Sequence, residues 1–230
     1  FSMETYIVKM AKKFGMENCR ETNHPDFDES MLFTTNSQPS AFPLRELIGS
    51  RRWLVVCGRV DLAHATNKLA RVTSLPVTQA VTKAAKKVLR YALHTKSLCL
   101  FYSSEQEEKF RQPFQDVICQ GDKNKNSLGN WSLLADASFG SDFKTMKSIS
   151  GIMLTYRGCP IGYKSLRQSI RCYSTFESEY VAISDGLSFV EGLPWIGFWT
   201  EQTSNLKIQL FVDNIPVSYT HLTLPTTPNV

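Results

Sequence analysis

Apolar side chains recur every four residues at Tyr6, Met10 and Phe14, the spacing of one helix face, and Gly15 suits the end of that helix. The period is lost between Glu17 and Pro43, where Asn23-His24-Pro25-Asp26 and Gln38-Pro39-Ser40 read as a long surface connection. His24, alone before a proline in that polar loop, reads as solvated rather than as a ligand. Leu44 to Cys57 is strongly apolar, interrupted by Arg51 and Arg52. A second helical pattern runs from Asp61 through Leu62, Ala65, Leu69 and Val72 and ends at Leu75-Pro76, since proline restricts the residue before it. Thr78 to Thr95 predicts the clearest helix of this half, with Val81, Ala84, Ala85, Val88 and Ala92 on one side. Leu98 to Tyr102 reads as a short strand, and from Ser103 to Asn130 the chain turns polar, which marks a domain boundary. Phe114 to Cys119, an apolar patch inside that stretch, fits either a strand or an adherent piece of linker.

Beyond it the apolar runs shorten to strand length. Trp131 to Asp136 and Ser150 to Tyr156 read as strands, and the turn Arg157-Gly158-Cys159-Pro160 leads to a third at Ile161 to Lys164. A helix starts at Ser174, with Tyr180, Ile183, Leu187 and Val190 as its core face, and a last strand spans Ile208 to Asp213. A strand reached across a helix is expected to run parallel to an earlier one. Ser174 and Glu177 form a capping box, in which the glutamate reaches back to the cap amide. Glu179 stands about 200° around the helix from Glu177. It shares a stripe with Ala182, Ile183 and Gly186, whose small side chains let the helix sit close to a sheet. A carboxylate there is costly unless a metal or a basic ligand meets it.

The chain has 230 residues, 42% of them hydrophobic, enough for one or two cores. A net charge of +5 permits a nucleic-acid partner without requiring one. No apolar run is long enough for a membrane span, and the first residues do not spell a signal peptide. The six cysteines stand far apart, which suits reduced, packed thiols and argues against zinc. On the helix at Thr78 to Thr95, Lys83, Lys86, Lys87 and Arg90 share one face, either as a solvated surface or as a rail for a phosphate backbone. Asp136 and Asp213 each end a strand, and a parallel pairing would bring them together beneath the helix that carries Glu179. Three carboxylates at one point repel unless protonated or loaded with divalent cations, and oxygen-only ligation favours magnesium or manganese. The alternative is that the aspartates are turn formers or caps.

Five blocks then carry a resemblance: Ala135-Asp-Ala-Ser-Phe-Gly140, Lys147-Ser-Ile-Ser-Gly151, Pro160-Ile-Gly-Tyr-Lys-Ser165, Ser174 to Ser184, and Leu210-Phe-Val-Asp-Asn214. In this order they resemble the ribonuclease H domain of copia-type (pseudovirus) retrotransposon Pol polyproteins. Leu44-Arg-Glu-Leu-Ile-Gly-Ser50, Arg59-Val-Asp61, Asn67-Lys-Leu-Ala-Arg71 and Ala84 to Tyr91 resemble the end of the reverse transcriptase and its connection. The resemblance implies an α/β (α+β) fold, a helical thumb/connection segment followed by a truncated ribonuclease H-like mixed sheet with a packed helix. It implies the division 1–102, a linker 103–129, a ribonuclease H-like domain 130–216, and 217–230 as an artefact, since 217–227 resembles a translated sequencing adaptor. Asp136, Glu179 and Asp213 match the family's catalytic, metal-binding carboxylates, which hold two Mg2+ (or Mn2+) ions and hydrolyse the RNA strand of an RNA–DNA hybrid. Lys83, Lys86, Lys87 and Arg90 are the implied nucleic-acid contacts. The implied partners are the hybrid or other nucleic acid and the rest of the Pol polyprotein, with no membrane. The implied location is cytoplasmic, in virus-like particles, or nuclear. The Tyr-x-Asp-Asp polymerase hairpin is absent from these residues, so polymerisation is not expected, and the later helices and fourth carboxylate do not follow Asp213, so weak or undetectable nuclease activity is expected. The alternatives are a catalytically inert hybrid-binding module and a structural core whose carboxylates only cap and turn.

Overall fold

The structure is a computed structural model that describes residues 2–34, 37–112, 131–193 and 208–212. Its contacts divide the chain into two compact units, Phe1–Phe101 and Tyr102–Val230.

The first unit is helical: α1 (Glu4–Lys13), α2 (Leu44–Cys57), α3 (Ala63–Ala70) and α4 (Gln79–His94). Thr78 caps α4 by accepting from the Val81 amide at 3.3 Å. The stripe Val81, Ala84, Ala85, Val88, Leu89 and Ala92 is buried as its spacing predicts. The polar segment before α2 is more than a surface connection. It contains a 3₁₀ turn, Glu29–Phe33, and inserts Phe27 and Leu32 into the core, while Glu29 meets Arg71 at 2.9 Å. Buried Arg59 grips Asp61 with Nε and Nη2 at 2.9 and 2.7 Å and donates to the Thr95 carbonyl at 3.1 Å, tying the turn after α2 to the end of α4. α2 runs unbroken through Arg51 and Arg52. Arg52 is exposed, but Arg51 shares the face of Leu44, Leu47, Ile48 and Leu54 and is fully enclosed.

Two expectations fail at the boundary. Residues 98–102 form no strand, and Leu98, Phe101 and Tyr102 stay about half exposed, because no strand among the described residues pairs with them. The polar stretch expected to be linker opens with a helix, α5 (Ser104–Arg111), supported by a Glu105–Lys109 pair at 2.7 Å. Arg157 meets Glu107 of that helix at 3.1 Å, and the Tyr102 hydroxyl donates to the Pro160 carbonyl at 2.7 Å. Phe114 to Cys119 and residues 213–230 lie outside the described residues.

The second unit carries β1 (Trp131–Ser138), β2 (Ile149–Tyr156), β3 (Cys159–Arg167), α6 (Thr175–Glu191) and β4 (Ile208–Phe211). The sheet order is β3-β2-β1-β4. β4 runs parallel to β1 across the α6 crossover, as expected, and the other pairs are antiparallel. Arg157 (φ 50°) and Gly158 (φ 78°) both take left-handed backbone in the two-residue turn between β2 and β3. Leu133, Ile152 and Leu154 form the core beneath α6 with Val190. The result is the mixed α/β arrangement of a ribonuclease H-like fold, a four-stranded sheet with one packed helix among the described residues. No described helix is long and apolar enough to cross a membrane.

Candidate active site

Asp136 lies on β1, opposite Gly151 of β2. Strand alternation turns Leu133 and Ala135 toward α6, and Asp136, the next residue, is exposed two residues before the strand ends. On its other edge β1 pairs with β4 in the register Trp131↔Ile208 to Leu134↔Phe211. Asp213 comes two residues after Phe211 in the sequence and lies outside the described residues.

Glu179 is placed by the local rules that start α6. The Ser174 hydroxyl accepts from the Glu177 amide at 3.1 Å, closing the cap. The Glu177 carboxylate, expected to bond the Ser174 amide, instead accepts from the Tyr173 amide at 2.7 Å, one residue further back. Either way Glu177 is occupied at the helix end. Glu179 is 7% exposed and shares its buried stripe with Ala182, Ile183 and Gly186. That stripe rests on β1: Ile183 packs against Ala135, and a Cβ on Gly186 would stand 3.3 Å from Leu133 Cδ2. The small residues therefore do set the close approach. Tyr180 is not a core residue, as its spacing had suggested. It is 48% exposed and stacks edge-on with Phe176 at 4.9 Å, because α6 is turned so that the Glu179 stripe, not the Tyr180 side, meets the sheet.

Beneath the same turns lies a buried polar network with no sequence signal. Gln168, Ser150, Ser178 and Cys172 are at most 4% exposed and bond to one another and to Asp185. Neither a glutamine nor scattered serines form a pattern that could have been read beforehand. Burial also pushes the Cys172 thiol upward, with the carboxylates of Glu177 and Asp185 adding to the effect.

The predicted basic face is in the helical unit. Lys83, Lys86 and Arg90 line a groove of about 650 Å³ with Gly15 to Arg20, Gln79 and Thr82. Lys86 Nζ also lies 5.5 Å from the Phe42 ring centroid. Lys87 points away to the polar segment, donating to the Asp26 carbonyl at 2.6 Å beside His24 Nδ1 at 3.4 Å. The structure thus brings three of the four cations together and gives the fourth an internal partner. Among the described residues, no three His, Cys, Asp or Glu side chains are grouped to hold a metal ion.

The chain is 27% identical over 192 residues to the retrovirus-related Pol polyprotein from transposon TNT 1-94 of Nicotiana tabacum, covering 80% of this chain and 13% of that protein. It is 26% identical over 189 residues to a putative Ty5-1 transposon protein of Saccharomyces cerevisiae, covering 80% of this chain and 54% of that one. A third relative, the secreted RxLR effector protein 161 of Plasmopara viticola, is 26% identical over 161 residues, covering 70% and 96%. The chain therefore spans about half or less of the two transposon proteins. No family profile matches it, and no solved structure matches it.

Proposed function

From its homology to retrotransposon Pol polyproteins of the copia type, we propose that this Pol fragment carries a ribonuclease H site that hydrolyses the RNA strand of RNA–DNA hybrids. The observation that carries the reading is the parallel pairing of β1 with β4 under the helix that holds Glu179. The strand with Asp136 and the strand that runs toward Asp213 are neighbours in register, and α6 packs on the first of them.

The donor set fits the implied metal: only carboxylate oxygens are offered, which suits Mg2+ or Mn2+ rather than zinc. Asp136, Glu179 and Asp213 would hold the ions. Such ions, held there, would supply the activation of water and the charge stabilisation of the leaving oxygen of a phosphodiester. The chain itself supplies orientation. Glu179 is shielded from water by the close helix–sheet contact, and Asp136 reaches solvent, where a phosphate of the hybrid can approach. Lys83, Lys86 and Arg90, with Arg20 in the same groove, offer a separate place for a nucleic-acid backbone. That groove favours a second reading, a hybrid-binding module without turnover.

The test is cleavage of an end-labelled RNA–DNA hybrid with Mg2+ or Mn2+. Asp136→Asn is expected to lower the rate at least about 100-fold, ~2.7 kcal/mol in the barrier, with the fold retained, and a chelator is expected to abolish it. Cleavage that survives Asp136→Asn overturns the nuclease reading. Tight hybrid binding with no cleavage by the wild type selects the binding module.

A further inference from the structure

Gln168 directly follows β3 and is 1% exposed. Its backbone N–H donates to the Ser148 carbonyl at 2.9 Å, which fixes it beside the start of β2. Its side chain then reaches beneath α6. Nε2 donates to the Ser178 carbonyl at 2.8 Å and to Ser150 Oγ at 3.1 Å, and Oε1 accepts from the Cys172 thiol at 3.1 Å. Ser150 Oγ donates in turn to Asp185 Oδ2 at 2.8 Å, two helical turns beyond Ser178. Both amide protons and the acceptor of Gln168 are thus engaged.

The Ser178 carbonyl belongs to the peptide that joins Ser178 to Glu179. A residue anchored at the end of β3 therefore holds the peptide unit from which the Glu179 side chain departs. Asp185 supplies a second hold on the same helix, so the two bonds fix its rotation about its own axis. A side-chain oxygen about 5–6 Å from a helix axis moves about 1 Å for each 10° of rotation. Metal and catalytic constellations tolerate roughly half that displacement. Apolar packing of Ala182, Ile183 and Gly186 sets the distance of α6 from β1, but small side chains allow the helix to roll. The buried carboxamide removes that freedom.

We propose that Gln168 is a positioning residue for Glu179, acting through the Ser178 carbonyl to hold the carboxylate where it can share in binding a divalent cation. The inference rests on the ribonuclease reading. A merely structural role would lower stability without changing the affinity for the ion.

The experiment uses the full 230-residue chain as wild type, Gln168→Met, Ser150→Ala and Glu179→Gln. Methionine keeps the length of glutamine and removes both donors. Ser150→Ala cuts one arm of the network beside Ala137 with little change in volume, and it decides the matter if Gln168→Met does not melt cooperatively. Free Mn2+ is read by electron paramagnetic resonance during titration, and hybrid cleavage is resolved into kcat and KM. Gln168→Met is expected to weaken Mn2+ binding about 10-fold and to lower kcat with KM unchanged, and Ser150→Ala to weaken binding about 3-fold. Wild-type Mn2+ affinity in both variants, with Glu179→Gln clearly weakened, overturns the positioning role and leaves the ribonuclease reading standing. If the wild type binds no Mn2+, or Glu179→Gln binds as the wild type does, both fall together.

Discussion

Arg51→Met removes a guanidinium that the helical core encloses. Arg51 is 0% exposed, and Nε, Nη1 and Nη2 have no hydrogen-bond partner among the described residues. Burial alone pulls its pKa well below the ordinary arginine value, to about 9. At about 1.36 kcal/mol per unit, that shift corresponds to a penalty on the order of 5 kcal/mol for holding the charge inside. Replacements of buried charges by apolar residues recover about 1–4 kcal/mol. Methionine has the same unbranched reach and fills the space between Leu47, Ile48 and Leu54 without a polar group. The expected gain is about 2 kcal/mol, or roughly 8–16 °C in the melting temperature of a unit of this size. The sign with pH follows from the depressed folded-state value. From about 9 up to the ordinary arginine value the unfolded chain binds the proton that the folded chain has released, so wild-type stability rises with pH there. Below about 9 the full penalty is present. Paired circular-dichroism melts of wild type and variant, near neutral pH and then upward through about pH 9, read both effects, and other titrating groups cancel in the comparison. A variant that melts at or below the wild type, or a gap that does not narrow as pH rises, refutes the reasoning.

Two further outcomes are expected. Gly186→Ala places a Cβ 3.3 Å from Leu133 Cδ2, and because Leu133 is 0% exposed it has little room to yield. Overpacking exceeds the helix-propensity gain, so the second unit loses about 1 kcal/mol in urea unfolding, and a more stable variant would show that the contact is loose. Lys83→Ala with Lys86→Ala makes the log–log salt dependence of hybrid binding shallower by about 2, whereas Lys87→Ala, whose ammonium serves Asp26, leaves the slope unchanged. An equal effect of all three lysines would remove the distinction that the groove draws.

Local rules determined much of this protein. The order of strands and helix from Trp131 onward, the parallel partner of the last strand, the Ser174 cap and the stripe of Glu179, Ala182, Ile183 and Gly186 all follow from spacing and chain topology, which act within a few residues or one crossover. The stripe was legible because helix geometry fixes which side chains share a face. Which face meets the sheet was not, since Tyr180 fits an apolar pattern as well as Ile183 does. Only the packed sheet turned one inward and left the other in solvent. The same limit explains 98–102, whose apolar residues meet no partner strand among the described residues, and Arg51, whose position on the Leu47 and Leu54 face outweighed its charge. Lys83 and Lys87 are equivalent in the sequence, and Lys87 found an internal acceptor only because the segment at Asp26 folds back against α4. Gln168 is the extreme case. Its partners come from β2, the loop before α6 and α6 itself, and although Cys172 is only four residues away, the two donor bonds reach Ser150 and Ser178, which only the fold brings beside it.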